Sequence, residues 1–349
     1  MPFHRRLACK LNYFQSIILM FAAVILIGAA LLMLPISAQE RTVTPFHEAL
    51  FTATSAVCVT GLVVRDTASH WSAFGQAVLM VLIQIGGLGV ITVGASFSLL
   101  SGRRISLSQR GRMQEAMSAP KVGGIVRLTG FVIRASLMIE GIGALCMLPV
   151  FCRDFGVSGI WKAVFHSVSA FCNAGFDLMG TPDTPFVSLT AYRADPVINL
   201  TISALIVVGG IGFLTWDDVR TNRLCFHRYR LQSKVILAAT ALLILLPMLY
   251  FFCFEFKGGA LRERLLLSLF QSVTPRTAGF NTADYTSLSS SGRGLTILLM
   301  FIGGSSGSTA GGIKTTTAAV LVANAFAVFR RQKSPEMFGR RMEEKAVHD

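Results

Sequence analysis

Long apolar blocks limit what this chain can fold into more than any other feature of the sequence. Each of six blocks is long enough, or nearly so, to cross the ~30 Å hydrocarbon core of a bilayer. They cover residues 16–35, 73–100, 129–150, 197–213, 235–254 and 294–329. Only 14% of the 349 residues are charged, against roughly 25% in a soluble protein. The sequence therefore predicts a polytopic membrane protein with six spans.

The distribution of charge predicts the orientation of these spans. The N-terminal segment, the second and fourth loops and the C-terminal tail together hold 20 Lys and Arg residues and 7 acidic residues. The other three loops hold 10 basic and 10 acidic residues. The positive-inside rule then makes both termini cytoplasmic. Basic loops on that face are suited to membrane lipid, and without a soluble domain we expect no nucleic-acid binding.

The seven cysteines do not point to a structural site. Cys9, 58, 146, 152, 172, 225 and 253 follow neither a CxxC nor a Cys–His spacing. The pattern predicts neither a disulfide framework nor a cysteine metal centre.

The three predicted outer loops repeat one short motif. It reads CVTGL at 58–62, CNAGF at 172–176 and RTAGF at 276–280. A short amphipathic stretch precedes each copy, and the span after each copy contains a pair of glycines. Such self-similarity indicates an internal repeat. The repeated unit is a span, a re-entrant helix, a glycine-containing loop and a second span.

A non-helical loop at membrane depth survives only where protein buries it or where it lines a water-filled cavity. Glycine at such a loop lets carbonyl groups turn inward without a Cβ clash, and rings of carbonyls replace the water around a dehydrated cation. The predicted ligands are the backbone carbonyls of Val59, Thr60, Gly61, Asn173, Ala174, Gly175, Thr277, Ala278 and Gly279.

A second glycine-rich stretch, GGSSGSTAGGIKTTT at 303–317, interrupts the last apolar block. As one straight helix, residues 295–329 would measure about 50 Å, too long for one untilted crossing. Two other interpretations are weaker. GSTAGGIKT has Ile313 where a phosphate-binding loop needs lysine, and GSSG at 304–307 fits a serine protease only if a base reaches Ser306. We expect a backbone break that faces the cavity.

These four motifs closely resemble the potassium uptake proteins of the Trk/Ktr/HKT superfamily, specifically the bacterial KtrB-type pore-forming subunit. The resemblance implies an all-α membrane fold of three span–re-entrant pore helix–span repeats in a pseudo-fourfold, cation-channel-like architecture. It implies K+ uptake, linked to Na+ in some members, through a carbonyl filter at the three loops, with no other metal, no covalent cofactor and no enzymatic activity. Glycine at the first filter position, Gly61, favours potassium.

The resemblance also implies a gate, a location and partners. The gate is a loop inside the membrane, made of Gly303, Gly304, Ser305, Ser306, Gly307, Ser308, Thr309, Ala310, Gly311, Gly312 and Lys314. The location is the bacterial plasma (inner) membrane. The partners are a second copy of the chain and a cytoplasmic, nucleotide-binding regulatory ring of the KtrA/TrkA type. We further expect the intramembrane Glu140 to make a hydrogen bond between helices.

The expected organisation is a cytoplasmic N-terminus, three repeats joined by cytoplasmic loops, and a cytoplasmic tail. The boundaries are 1–15, 16–100 (repeat A), 101–128, 129–216 (repeat B), 217–234, 235–329 (repeat C, with the gate) and 330–349. The fourth repeat of the family is not expected in this sequence, so three loops stand where a fourfold ring has four. The alternative to a conducting pore is therefore a non-conducting fragment that only assembles with partner subunits.

Overall fold

The computed structural model describes residues 13–89, 92, 110–111, 113–114, 124–223, 225–331, 336–338 and 340–341. The fold is nearly all helical, as predicted, and the described strands form one short hairpin of β1 (Glu336–Met337) and β2 (Arg340–Arg341). The chain divides into two compact units, Met1–Ser188 and Leu189–Asp349.

The first unit contains repeat A and the first half of repeat B. Its helices are α1 (Tyr13–Leu32), α2 (Phe46–Val57), α3 (Thr67–His70), α4 (Ala73–Leu88), α5 (Ile125–Phe155) and α6 (Ser158–Phe171). In repeat A, α1 packs against α2 and α4, and in repeat B the short α6 packs against the long α5. Helix α4 also contacts α6. The second span of repeat A therefore supports the short helix of repeat B.

The second unit contains the remainder of repeat B and all of repeat C. Its helices are α7 (Pro196–Gly210), α8 (Phe213–Asn222), α9 (Leu231–Tyr250), α10 (Leu261–Val273), α11 (Ser290–Phe301) and α12 (Thr315–Phe329). Helix α9 packs against α10 and α12, and α7 packs against α10. The second span of repeat B thus supports the short helix of repeat C, in the same way that α4 supports α6.

Among the described residues, three helical segments are long and apolar enough to cross a membrane: Gln15–Leu32, Ile125–Phe155 and Leu231–Glu255. The last of these runs from α9 into a π-helical turn, Phe251–Glu255. A fourth span is obtained if α7 and α8, which meet at an angle of 96°, are counted as one bent segment.

The other predicted spans differ from single straight helices. Helix α4 ends at Leu88, and most of the predicted span beyond it, residues 90–91 and 93–100, lies outside the described residues. The predicted span 294–329 is two helices, because the chain from Ile302 to Lys314 is not helical. The predicted glycine-rich break, 303–317, is longer than this segment, since α12 begins at Thr315.

Paired glycines in α4 allow the close contacts of the first unit. A Cβ atom on Gly86 would lie 2.2 Å from the carbonyl oxygen of Val57, the last residue of α2. A Cβ atom on Gly87 would lie 2.6 Å from the Sγ atom of Cys172, which follows α6. Real Cβ atoms do not approach a backbone oxygen this closely. The glycine pair therefore brings α4 against the ends of both short helices.

We expect Gly86→Ala to lower the thermal stability of the purified protein, because the added methyl group overlaps a backbone carbonyl that cannot rotate away. Overpacking of this kind costs about 1–3 kcal/mol. The matched control is Gly141→Ala in α5, where a Cβ atom meets nothing within 4 Å. A melting temperature that falls equally in both variants, or in neither, would contradict the packing role of Gly86.

Candidate functional site

Each of the three short helices ends at one copy of the repeated motif. Helix α2 is followed by Cys58, α6 by Cys172 and α10 by Thr274. The carbonyl end of a helix carries a partial negative charge of about half an electron. Each motif therefore starts at, or within three residues of, a helix end that favours a cation.

The three loops share one backbone conformation. Two residues before the glycine, φ is positive at Val59 (55°), Asn173 (56°) and Thr277 (70°). The glycines Gly61, Gly175 and Gly279 have φ values of 80°, 71° and 85°. A positive φ is a genuine outlier for a β-branched residue such as valine or threonine. Strained residues of this kind concentrate at functional sites, and here the strain recurs at one position in three unrelated side chains.

Hydrogen bonds in the loops are divided unequally between N–H groups and carbonyls. The N–H groups of Thr60, Ala174 and Ala278 donate back to the preceding helix, to the carbonyls of Ser55, Ser169 and Thr274, at 2.8, 2.8 and 3.0 Å. Within the described part of the chain, several loop carbonyls accept no backbone hydrogen bond: those of Val59, Thr60, Gly61, Ala174, Gly175, Thr277, Ala278 and Gly279. Their oxygen lone pairs are available to a ligand.

Two of the loops are in direct contact within the first unit. An ideal Cβ atom on Gly61 would lie 2.6 Å from the carbonyl oxygen of Ala174. Gly61 also has a positive φ, so both space and backbone conformation require glycine at this position. Asn173 and Ala174 are buried, with exposed fractions of 1% and 0%. The structure thus brings the predicted residues of loops A and B together.

His166 of α6 supports the loop of repeat B through hydrogen bonds. The buried imidazole accepts a hydrogen bond at Nε2 from the N–H of Leu178, at 3.3 Å. Since that nitrogen accepts, Nδ1 carries the proton and donates to the carbonyl of Lys162 at 2.7 Å. Ser169 makes a second tie, from its hydroxyl to the carbonyl of Phe176 at 2.7 Å. The sequence carries one signal for this role, the position of His166 in the short helix that precedes the loop.

The buried Glu140 of α5 bonds to the neighbouring span, as expected. The Nε2 atom of Gln84 in α4 donates to both carboxylate oxygens, at 2.9 and 3.2 Å. The thiol of Cys172 donates to Oε1 of Gln84 at 3.7 Å, and Ser167 donates to the Glu140 carbonyl at 2.6 Å. This network fixes the start of loop B between two spans.

Loop C is tied to the glycine-rich stretch in the second unit. Arg276 is 8% exposed, and its Nη2 atom donates to the carbonyl of Gly303 at 3.3 Å. Thr274 donates from its hydroxyl to the carbonyl of Phe280 at 2.5 Å, which closes the loop on itself. One buried guanidinium therefore links the third motif to the first residue of the predicted gate.

The glycine-rich stretch between α11 and α12 is a closed loop. The N–H of Gly303 donates to the carbonyl of Ile313 at 3.0 Å, and the N–H of Gly304 donates to that of Gly311 at 3.2 Å. Lys314 donates from Nζ to the carbonyl of Ala310 at 2.9 Å. These bonds close the loop at its base, and the predicted gate residues 303–312 all lie within it.

The same loop is anchored to the bend between α7 and α8. Ser305 donates from its backbone N–H and from its hydroxyl to the carbonyl of Gly210, both at 2.9 Å. The N–H of Thr309 donates to the carbonyl of Gly209 at 3.3 Å, and that of Phe213 donates to the carbonyl of Gly307 at 2.8 Å. The 96° bend therefore holds the loop by its backbone.

The two enzymatic interpretations of this stretch do not fit its surroundings. The residues before it form helix α11, whereas a phosphate-binding loop follows a strand. The hydroxyl of Ser306 lies 3.3 Å from that of Thr316, and no basic partner of Ser306 is found in the part of the chain that the structure describes. The same described residues contain no cluster of His, Cys, Asp and Glu that could hold a metal ion.

Comparison with known proteins identifies the family. The TrkH family, described as "Cation transport protein", matches residues 8–349. The chain is 42% identical to the potassium/sodium uptake protein NtpJ of Enterococcus hirae, over 98% of this chain and 76% of the relative. It is also 42% identical to the Ktr system potassium uptake protein B of Bacillus subtilis, over 93% of this chain and 73% of the relative.

A solved structure shows the same fold. The crystal structure of the potassium transporter TrkH from Vibrio parahaemolyticus matches with a TM-score of 0.72 and 18% sequence identity. The match covers 97% of this chain and 68% of that one. The repeated helix–loop units, the all-helical membrane fold and the relatives agree: this chain belongs to the TrkH family of membrane cation transport proteins.

Proposed function

We propose that this protein carries K+ across the membrane and that the three motif loops form its selectivity filter. The ligands are the backbone carbonyls of Val59, Thr60, Gly61, Asn173, Ala174, Gly175, Thr277, Ala278 and Gly279. The observation that carries this proposal is the backbone conformation that the three loops share. The names of the two relatives reported above, a potassium/sodium uptake protein and a potassium uptake protein, support it. Na+ is a candidate second ion.

The chemistry of the loops fits a weakly hydrated monovalent cation. Carbonyl oxygens are neutral dipoles that can replace the water around K+ without binding it so tightly that it cannot leave. The partial negative charge at the ends of α2, α6 and α10 favours a cation without adding a full negative charge. No carboxylate is needed as a ligand, which agrees with the motif compositions.

We propose that the loop from Gly303 to Lys314 gates this path. It is a non-helical segment in the middle of an apolar block, and non-helical backbone at membrane depth lines a cavity or is buried in protein. Its attachments include hydrogen bonds to the carbonyls of Gly209 and Gly210, one from the N–H of Phe213 and one from Arg276. When water enters the cavity and replaces these bonds, each exchange costs only about 0.5–1.5 kcal/mol, so the loop can move while α11 and α12 remain intact.

The remaining features of the resemblance are also proposals. The excess of basic residues on one set of loops supports a bacterial plasma membrane protein with cytoplasmic termini. A homodimer with a cytoplasmic nucleotide-binding regulatory ring is the assembly we propose, and the relatives named as parts of a Ktr system support a regulatory partner.

The direct test is potassium-limited growth of a bacterial strain without potassium uptake systems of its own. The strain expresses either this chain alone or this chain with the part of the Bacillus subtilis relative that the match does not cover. Growth at low K+ in either arm supports the proposed function. Membrane-inserted protein without growth or 86Rb+ uptake in both arms would favour the alternative, a non-conducting assembly subunit.

In the arm that grows, Gly61→Ala should weaken K+ uptake and reduce its selectivity over Na+. The alanine Cβ overlaps the Ala174 carbonyl and disfavours the positive φ. Strain of about 1–3 kcal/mol corresponds to an increase of roughly 5- to 150-fold in the K+ concentration that gives half-maximal uptake. Gly141→Ala is the control. Unchanged K+ affinity in Gly61→Ala would rule out loop A as part of the filter.

His166→Phe should reduce the selectivity for K+ over Na+, because the N–H of Leu178 loses its acceptor and the loop behind Gly175 loses its support. An unsatisfied buried N–H costs about 1–3 kcal/mol. His166→Asn supplies both a donor and an acceptor and should restore part of the selectivity, measured as the ratio of 86Rb+ to 22Na+ uptake. Equal ratios in the phenylalanine and asparagine variants would contradict this role.

Ser305→Ala should raise the maximal uptake rate by about two- to tenfold, the effect of removing one hydrogen bond of the closed loop. The half-saturating K+ concentration should not change, since the filter is intact. Ser306→Ala is the matched control, because the one hydrogen-bond partner of its hydroxyl among the described residues is the hydroxyl of Thr316. A rate that is unaltered in Ser305→Ala, or raised equally in both variants, would argue against a gating loop.

A further inference from the structure

A polar cavity and an apolar groove meet on the surface of the first unit, between α1 and α4. The polar cavity has a volume of about 520 Å³, and Arg41, Trp71, Ser72 and Gln76 are among its lining residues. The apolar groove has a volume of about 500 Å³ and is lined by aliphatic residues and Phe74. Phe74 lines both spaces, so they adjoin at this residue.

The polar cavity lies where α1 has ended and α4 begins. The segment after α1 pairs with the segment before α4, through a bridge between Ala38 and Trp71 and a bond of 2.9 Å from the N–H of Ser72 to the carbonyl of Ser37. The groove continues from there along the helices to Val24 on α1 and Ile85 on α4. On α4, the distance from Phe74 to Ile85 is about 16 Å at 1.5 Å per residue, close to the ~15 Å of one leaflet's hydrocarbon.

Donor groups around the polar cavity are not used by the protein. Trp71 is 1% exposed, and its indole Nε1 has no hydrogen-bond partner among the described residues. Arg41 is exposed and makes no ion pair with any residue in the described ranges, whereas Arg65 nearby in sequence pairs with Glu48 at 2.9 Å. The N–H groups of Ala73 and Phe74, at the start of α4, donate to no described backbone acceptor. Arg, indole and helix N-terminal N–H groups together suit a phosphate.

We propose that this composite site binds one anionic phospholipid, with its phosphate near Arg41 and the start of α4 and one acyl chain in the groove. The order of the two spaces, polar at the helix ends and apolar along the helix bodies, is the order of the two parts of such a lipid. A free phosphate would make no contact with the groove, and a neutral amphiphile would leave the Arg41 charge without a partner. The charge of Arg41 and the apolar lining of the groove therefore both favour an anionic phospholipid.

Gly28 on α1 and Leu82 on α4, which both line the groove, are in contact. An added Cβ atom at Gly28 would lie 2.7 Å from a terminal methyl group of Leu82. Beside this contact the small Ala77 and the aliphatic Val78 leave room for a chain. A large residue at position 77 should therefore fill the groove without touching the polar cavity.

Native mass spectrometry of the full chain in mild detergent tests this proposal. The purified protein is incubated with phosphatidylglycerol, phosphatidylcholine or inorganic phosphate, and the bound ligand is counted. We expect each protein molecule to retain one phosphatidylglycerol molecule, little phosphatidylcholine and no phosphate. Arg41→Gln should reduce the retained phosphatidylglycerol about tenfold, since it removes a charge-assisted contact, and Ala77→Trp should abolish retention.

Two controls separate the site from general lipid affinity. Arg153→Gln removes an arginine at the corresponding end of α5 that is already paired with Asp154 at 2.8 Å. Leu145→Trp changes an exposed apolar residue on α5 that is outside the groove. Both should retain phosphatidylglycerol at the wild-type level. Arg41 is on the surface, so Arg41→Gln should fold even if Ala77→Trp does not.

Three outcomes would overturn the proposal. The first is equal retention of phosphatidylglycerol in Arg41→Gln and Arg153→Gln. The second is equal binding of phosphatidylglycerol and phosphatidylcholine to the wild-type protein. The third is a change of oligomeric state in Ala77→Trp while lipid binding persists, which would identify the groove as a contact between copies of the chain. The readout is binding, so it does not depend on the proposed transport function.

Discussion

The structure depends on one constraint: a backbone that leaves its helix inside a bilayer must still find partners for its polar groups. Each motif loop solves this by returning its N–H groups to the helix that precedes it, as Thr60, Ala174 and Ala278 do. The carbonyls are then left over, and an isolated buried carbonyl is costly. A cation that needs oxygen ligands in place of water offsets this cost. The proposed function therefore has the same physical basis as the loops: their N–H groups are hydrogen-bonded within the protein and their carbonyls are left for a cation.

The packing around the loops follows from this arrangement. A strained loop persists only if its surroundings hold it, and here each loop has supports of a different kind. Loop A is held by the close approach of Gly86 to the end of α2, and loop B by His166, Ser169 and the network of Glu140. Loop C is held by its own threonine and by Arg276. The three loops thus share one backbone conformation but are supported by different contacts. This is expected if the internal repeats diverged in sequence while each loop had to keep the same carbonyl geometry.

The glycine-rich loop between α11 and α12 contrasts with the filter loops. Its attachments are mainly backbone hydrogen bonds to the bend between α7 and α8, and its residues 303–312 have only small side chains or none. Segments held in this way open at lower free energy than packed helices. The same chain thus has rigid loops where we propose selectivity and a weakly held loop where we propose gating. Arg276 is bonded to Gly303 and is the described side chain that joins the two in the second unit.

The sequence by itself determined the membrane class, the threefold internal repeat, the position of each glycine loop and the break in the last span. These features have local causes, namely apolar length, glycine spacing and helix-breaking residues, so a pattern in one dimension reveals them. Only the tertiary structure decided that the chain bends by 96° at Gly212, that Gly61 faces the Ala174 carbonyl, and that His166 supports a loop. Each of these depends on contacts or dihedral angles that the local sequence does not encode. The physical reason is that a hydrogen bond or a steric overlap between distant residues exists only after the helices have packed.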